Sequence, residues 1–216
     1  MKESKASSIY QSCADGNIEQ INEYIKICHD INSRNEEGGT LLHYASANGR
    51  FNIAKILVNK GADINFSEIN FPFYTPYAIA IINEAYDICE FFEDNGGDFV
   101  LCLKSFINGG DLKQIKQLIE NEIIDLNFRP NDNDTILALS ILPSFWGSDE
   151  VTKYLILRGS DVNCRSKNDL TPLDYALRLT EIASDGNTCI KPNRNLLDFL
   201  RKHGGKTGEE LKAEGK

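Results

Sequence analysis

The sequence predicts an all-α solenoid of stacked helix-turn-helix units joined by short hairpin-like fingers. Two phrases recur along the chain at regular distances, and this regularity is typical of repeat architectures. The opening phrase TLLHYA, or a variant of it, begins at Thr40, Thr75, Thr135 and Thr171. The closing phrase GADIN, or a variant of it, begins at Gly61, Gly96 and Gly159. One opening and one closing phrase together fit a pair of helices and the turn that follows them.

The spacing of the phrases divides the chain into six units within one repeat domain, residues 1–216. The units lie near 5–32, 33–65, 66–98, 99–128, 129–163 and 164–206, and a polar tail follows at 207–216. A single unit cannot bury its own apolar faces, so neighbouring units must stack. The first unit begins with polar residues and the last ends in a polar segment, as the ends of such an array need to do.

The pattern resembles the ankyrin-repeat family, whose unit has about 33 residues and a T-P-L-H-x-A opening. The resemblance runs from about Ser7 to about Gly205 and is specific because two separated phrases keep their offset. It implies a pair of antiparallel helices in each unit, with a finger leading to the next. It also implies that His43 ties neighbouring units together rather than acting in catalysis or metal binding.

Local signals explain where each helix begins and ends. The four opening threonines are placed to cap the first helix of their units, and Pro76 and Pro172 follow where a helix needs no N–H. The closing glycines should end the second helices in a left-handed conformation. Between the two, Ile, Leu and Val recur at three- and four-residue spacing, which indicates helices packed on both sides.

Three units depart from the pattern. The fourth lacks a Thr-Pro opening, and its first helix should begin near Val100 with almost no finger before it. In the fifth, Pro143 should end the first helix ahead of a longer turn at 142–148. In the sixth, about twelve extra residues around 181–193 are rich in Asp, Gly, Asn and Pro and should form a loop.

The charge pattern argues against nucleic acid and membrane partners. The formal net charge is −9, and the cations are scattered rather than gathered into one patch. No Lys, Arg or His occurs between Lys60 and Lys104, a segment with eight acidic residues. No apolar run is long enough to span a membrane, and the N-terminus lacks the apolar core of a secretory signal. We therefore expect a cytoplasmic protein, monomeric, with a partner whose contact surface is basic or neutral.

The sequence shows no catalytic or cofactor motif. Phosphate-loop, dinucleotide, nucleophile-elbow and zinc-protease patterns are absent, so we expect no cofactor, no metal and no enzyme activity. The six cysteines have no metal-ligand spacing and are expected to be reduced, mostly buried thiols. One enzymatic alternative stays open, with Cys189 as a nucleophile in the loop of the sixth unit.

Aromatic residues in two connecting segments are candidate binding anchors. Phe66, Phe71 and Tyr74 stand in a finger where polar residues are usual, and large exposed aromatics are typical of binding sites. The alternative is that Phe66 and Phe73 fold inward and cover the gap left by the missing finger before the fourth unit, and that Phe71 and Tyr74 are core residues there as well. Phe145 and Trp146 are weaker candidates in the turn of the fifth unit.

The family resemblance places partner binding on the fingers and first helices, which form the concave side. Carried over to this sequence, that surface includes Arg34, Glu36, Asn48, Asn83, Arg129, Arg165 and Lys167. The resemblance also implies that Asn65 and Asn163, in the closing phrases, are possible substrates of asparaginyl hydroxylases. A purely structural role in the turn is the alternative for both.

The sequence therefore predicts a non-enzymatic protein-interaction module or scaffold. A second hypothesis is a regulatory subunit or an inhibitor that blocks the active site of an enzyme. Fold alone does not separate the two, because this architecture serves many unrelated partners.

Overall fold

The computed structural model describes residues 3–67, 74–129, 135–141, 149–166, 168–184 and 194–215, with side chains except at 3–8 and 181–184. Within these ranges the ordered elements are helices, without a β-strand, and one isolated bridge joins Arg34 and Thr40. The predicted all-α fold class is confirmed.

The helices come in pairs, and each of the six proposed repeat units contains one pair. The pairs are α1 and α2 (Glu3–Asp15, Ile18–Ile27), α3 and α4 (Leu41–Ala47, Phe51–Asn59), α5 and α6 (Pro76–Ile82, Tyr86–Asp94), α7 and α8 (Phe99–Asn108, Leu112–Glu120), α9 and α10 (Ile136–Ile141, Glu150–Leu157), and α11 and α12 (Pro172–Ser184, Arg194–Lys202). One further helix, α13, spans Gly208–Ala213.

The chain forms two compact units, residues 1–105 and 106–216. In the first, α3 packs against α1, α4 and α5. Leu41 and Leu42 of α3 and Ile53 and Leu57 of α4 are almost fully buried. Burying each such side chain contributes about 1.5–3 kcal/mol, so the apolar spacing of these helices accounts for their packing.

In the second compact unit, α9 packs against α10 and α11, and α11 packs against α12. Leu155, Leu173 and Leu200 are buried in this core. Helix α13, where the sequence analysis described only a polar tail, has a capping box between Thr207 and its Glu210 and buries its Leu211.

Most of the predicted helix ends are confirmed. The hydroxyl of Thr75 accepts from Ala78 N at 3.0 Å, and that of Thr135 accepts from Ala138 N at 3.2 Å. Helix α7 begins at Phe99, next to the predicted start. The closing glycines have left-handed φ values of 88° at Gly61, 90° at Gly96 and 100° at Gly159.

One predicted boundary is wrong. The loop predicted for 181–193 does not begin at residue 181, because α11 continues to Ser184. The segment LRLTEIAS at 177–184 contains good helix formers and no glycine or proline, so the helix propagates through it.

Candidate protein-interaction surface

The α3 finger, residues 34–39, is a short loop with a fixed backbone. Asn35 N donates to Gly39 O at 3.0 Å, and Gly38 N donates to Asn35 O at 3.0 Å. The side-chain oxygen of Asn35 accepts from Glu37 N at 3.1 Å and from Gly39 N at 2.9 Å. These hydrogen bonds form within the loop, as in Asx motifs, and hold the backbone of the finger in one conformation.

Tyr44 of α3 supports this finger from below. Its hydroxyl donates to Glu37 Oε2 at 2.8 Å and accepts from Asn35 Nδ2 at 2.7 Å. Its ring packs against Tyr10 with centroids 5.2 Å apart. Burial, followed by the bond to Glu37, raises the pKa of Tyr44. The sequence analysis missed Tyr44 and Asn35, although Tyr44 lies one helical turn beyond the threonine that starts α3.

Four of the predicted contact residues in the first compact unit are exposed. Arg34 and Glu36 lie on the α3 finger, and Asn48 and Asn83 follow the first helices α3 and α5. Each of the two asparagines donates from Nδ2 to the carbonyl four residues earlier at 2.9 Å. Each amide therefore caps its helix, and its position is fixed by that bond.

His43 links the base of the α3 finger to the start of the next helix pair. Its Nδ1 accepts from Thr40 N at 3.1 Å, so the ring is protonated at Nε2, which donates to Tyr74 O at 3.2 Å. The ring is buried, and burial lowers the pKa of His43 to about 4. A neutral imidazole thus joins two neighbouring repeat units, as the family resemblance implied.

The candidate aromatic anchors have different positions. Tyr74 is half-buried, and its carbonyl accepts the His43 bond. Phe66 is also half-buried, with its ring edge-on to His43 at a centroid distance of 6.0 Å, which fits the inward alternative. Phe71, Phe145 and Trp146 lie outside the described residues, so their role as anchors stays a prediction.

The α11 finger, residues 165–170, uses its charges internally. Arg165 pairs with Asp169 at 2.5 Å, and Lys212 of α13 pairs with the same carboxylate at 2.5 Å. Lys212 and Arg165 together hold the pKa of Asp169 below its usual range. Arg129 is exposed, and its guanidinium donates to Arg165 O at 2.7 Å. The predicted contact residue Lys167 lies outside the described residues.

The closing asparagines bridge successive helix pairs. Asn65 Nδ2 donates to Gly96 O at 2.8 Å, and its Oδ1 accepts from Asp98 N at 2.7 Å. Asn163 donates to Gly204 O at 3.0 Å and accepts from Lys206 N at 2.8 Å. Both amides have a structural role, and their hydroxylation stays a prediction.

Three of the described thiols are poor candidates for nucleophiles. Cys13 and Cys102 are buried, and Cys89 is half-buried. Burial is the main cause that raises the pKa of Cys13 to about 12, that of Cys89 to about 11, and that of Cys102 above its usual range. A reactive cysteine needs the opposite shift. Cys189 lies outside the described residues, so the structure gives no information on that alternative.

Two further searches covered only the described part of the chain. There, no group of three or more His, Cys, Asp or Glu residues is arranged to hold a metal ion. Nor does any of the described helices have the length and apolar character needed to cross a membrane.

Comparison with known proteins gives the following matches. Residues 9–102 match a family model described as ankyrin repeats (3 copies). Alpha-latrocrustotoxin-Lt1a of Latrodectus tredecimguttatus is 30% identical over 135 residues, which cover 59% of this chain and 9% of the toxin. The putative ankyrin repeat protein FPV031 of fowlpox virus is 28% identical over 187 residues, which cover 76% of this chain and 54% of the viral protein.

Among solved structures, the ankyrin repeat domain of human ASB11 is 18% identical, with a TM-score of 0.45. That match covers 91% of this chain and 83% of the human one. The chain spans about half, or much less, of the two relatives compared by sequence.

Proposed function

Because this chain is an ankyrin-repeat protein, we propose that it is a non-enzymatic module that binds another protein through its fingers and the ends of its first helices. Ankyrin repeats are in general protein–protein interaction modules. In this proposal the module acts in the cytoplasm as a monomer, without a cofactor, and its partner offers a basic or neutral contact surface.

One observation carries the proposal. In the first compact unit, exposed polar side chains stand on a backbone that internal hydrogen bonds hold in place. The side chains of Arg34 and Glu36 extend from a closed finger, and Asn48 and Asn83 are fixed as helix caps. A surface that is already ordered loses less conformational entropy on binding, which favours affinity.

The chemistry of the described residues supports a binding role over catalysis. The raised pKa values of Cys13, Cys89 and Cys102 keep these thiols protonated at neutral pH. The inhibitor hypothesis is a special case of binding, in which the partner is an enzyme that loses activity in the complex.

The test uses three asparagines that make the same local contact in different places. Asn48 and Asn83 cap first helices, whereas Asn95 caps the second helix α6 through Nδ2 to Phe91 O at 2.8 Å. All three are exposed. Arginine at any of them removes the same hydrogen bond and adds the same bulk and charge, so Asn95→Arg is a matched control.

We expect Asn48→Arg and Asn83→Arg to reduce crosslinked capture of a partner at least about tenfold, and Asn95→Arg to leave capture unchanged. Circular dichroism should show that all three variants stay helical. Equal losses in the three variants would contradict the proposed surface. Assays of any captured enzyme, free and in complex, would separate an inhibitor from a scaffold.

A further inference from the structure

The carboxylate of Glu37 is held in one position on an otherwise exposed finger. Asn35 Oδ1 accepts two backbone N–H groups, which fixes the orientation of its amide and points Nδ2 at Tyr44. Because the Tyr44 oxygen accepts that N–H, its own proton is free to reach Glu37 Oε2. Three side chains thus form a chain of hydrogen bonds that ends on an exposed carboxylate.

No cation of this chain neutralises that carboxylate within the described residues. The ion pairs present there involve Asp149, Asp169, Glu210 and Glu214, and none involves Glu37. Among the described residues, the one hydrogen bond to the Glu37 carboxylate comes from a neutral hydroxyl and reaches Oε2, which leaves further acceptor positions on the carboxylate. Residues 1–105 also carry 15 acidic side chains against 8 lysines and arginines, which makes their surroundings attractive to cations.

The neighbouring Glu36 provides a contrast. It is also exposed on the same finger, and no hydrogen bond or ion pair to its side chain is present in the described structure. A cation that binds Glu36 must order a free side chain, whereas one that binds Glu37 meets an acceptor already in place. The equivalent position of the α11 finger is Asn168, which is neutral. Of these two fingers, only the α3 finger has a carboxylate at this position.

We propose that Glu37 is the specificity-determining residue of the α3 finger and accepts a charge-assisted hydrogen bond from a lysine or arginine side chain of the protein partner. This inference rests on the proposed binding function. Such bonds are about twice as strong as neutral ones. Tyr44 and Asn35 act as positioning residues, since each reaches the partner only through Glu37.

The probe is a library of randomised peptides displayed on phage and selected on the whole chain. We expect enrichment of peptides with a lysine or arginine that binding requires. Glu37→Gln keeps an oxygen that accepts from Tyr44 but removes the charge, so binding should fall about tenfold with unchanged thermal stability. Glu36→Gln removes the same charge from a side chain that is not held in place, so binding should fall clearly less than for Glu37→Gln. For Tyr44→Phe, the loss of binding should lie between those of the two glutamate variants.

A second measurement tests the contact itself. In the selected peptide, norleucine replaces the required lysine, or citrulline the arginine, and affinities are measured for the wild type and Glu37→Gln. The two changes should be strongly non-additive, because each removes the same contact. Additive effects, or equal losses for Glu36→Gln and Glu37→Gln, would overturn the inference and leave the proposed function intact. A library that yields no binder above an unrelated control protein would count against both.

Discussion

The α3 finger and the α11 finger share a backbone design and differ in how they use charge. In both, the second residue donates its backbone N–H to the carbonyl four residues later: Asn35 N donates to Gly39 O at 3.0 Å, and Ser166 N donates to Leu170 O at 2.9 Å. The side-chain oxygen of the same residue accepts a second loop N–H in each case, at 2.9 Å and 3.2 Å. The loop geometry therefore does not depend on which charged residues the finger carries.

The charges differ in their availability to a partner. Asp169 is paired with Arg165 and Lys212, so its interactions are satisfied within the chain. Glu37 is supported by a neutral hydroxyl, and no cation in the described part of the chain pairs with it. Counting charged residues on fingers would treat the two alike, although only one is ready for an external cation.

The residue at the base of each finger makes a different kind of hydrogen bond to the segment that follows. Three residues after the threonine that opens each first helix stand His43 in α3 and Asp174 in α11. His43 donates outward to Tyr74 O, whereas Asp174 Oδ2 accepts from Gly208 N at 2.9 Å and from Thr171 N at 2.9 Å. The same position links to the next helix through a neutral donor in one case and a carboxylate acceptor in the other.

The largest expected effect is a loss of stability at low pH, and it comes from His43, on one side of this comparison. The native pKa of His43 is about 4, and the ordinary value is 6.5. Between these values the unfolded chain binds a proton that the native state excludes, so the free energy of unfolding falls as pH falls. The contribution of His43 is complete above about pH 6.5, and up to about 3 kcal/mol is lost by pH 4.

Urea unfolding at pH 7 and at about pH 4.5 measures this loss. His43→Gln should be clearly less stable than the wild type at pH 7, and the difference should shrink at the lower pH. His29→Gln, the same substitution at an exposed histidine, is the control for the change of residue type. If the free energy of unfolding changed equally with pH in the wild type and in His43→Gln, His43 would not titrate as described.

Sequence reasoning located the helix pairs because their signals are local. The threonine caps, the left-handed glycines and the start of α7 at Phe99 all follow from neighbouring residues. It failed where the decisive contact joins separated residues, as between Tyr44 and Glu37 or Asp174 and Gly208. Helix α13 had a local signal, the Thr207–Glu210 capping box, that the polar composition of the tail obscured.

A smaller effect is expected within the first helices themselves. Ser46 of α3 is fully buried, and its hydroxyl has no hydrogen-bond partner among the described residues. The equivalent positions of the other threonine-opened helices are apolar: Ile81, Ile141 and Leu177. Ser46→Ala removes an unsatisfied polar group and improves helix propensity, so it should stabilise the protein by about 1 kcal/mol. Unchanged or lower stability in urea titration would indicate that the hydroxyl is in fact satisfied.

The smallest expected effect is the release of backbone strain in the α11 finger and in one inter-helix turn. Asp169 has a left-handed φ of 61° where the α3 finger has Gly38, and Glu84 has one of 55° where the preceding inter-helix turn has Gly49. A side chain in this region is strained, and glycine relieves the strain at a cost in unfolded-state entropy, for a net gain of about 0.5–1 kcal/mol.

Glu84 forms no ion pair with described residues, so Glu84→Gly should show that gain. Asp169→Gly should show little change, because it also removes the contacts with Arg165 and Lys212. Paired thermal melts at low and high salt check the difference. High salt should weaken those ion pairs and bring the two variants together, and a gap that salt leaves unchanged would mean that the ion pairs of the α11 finger do not offset its strain.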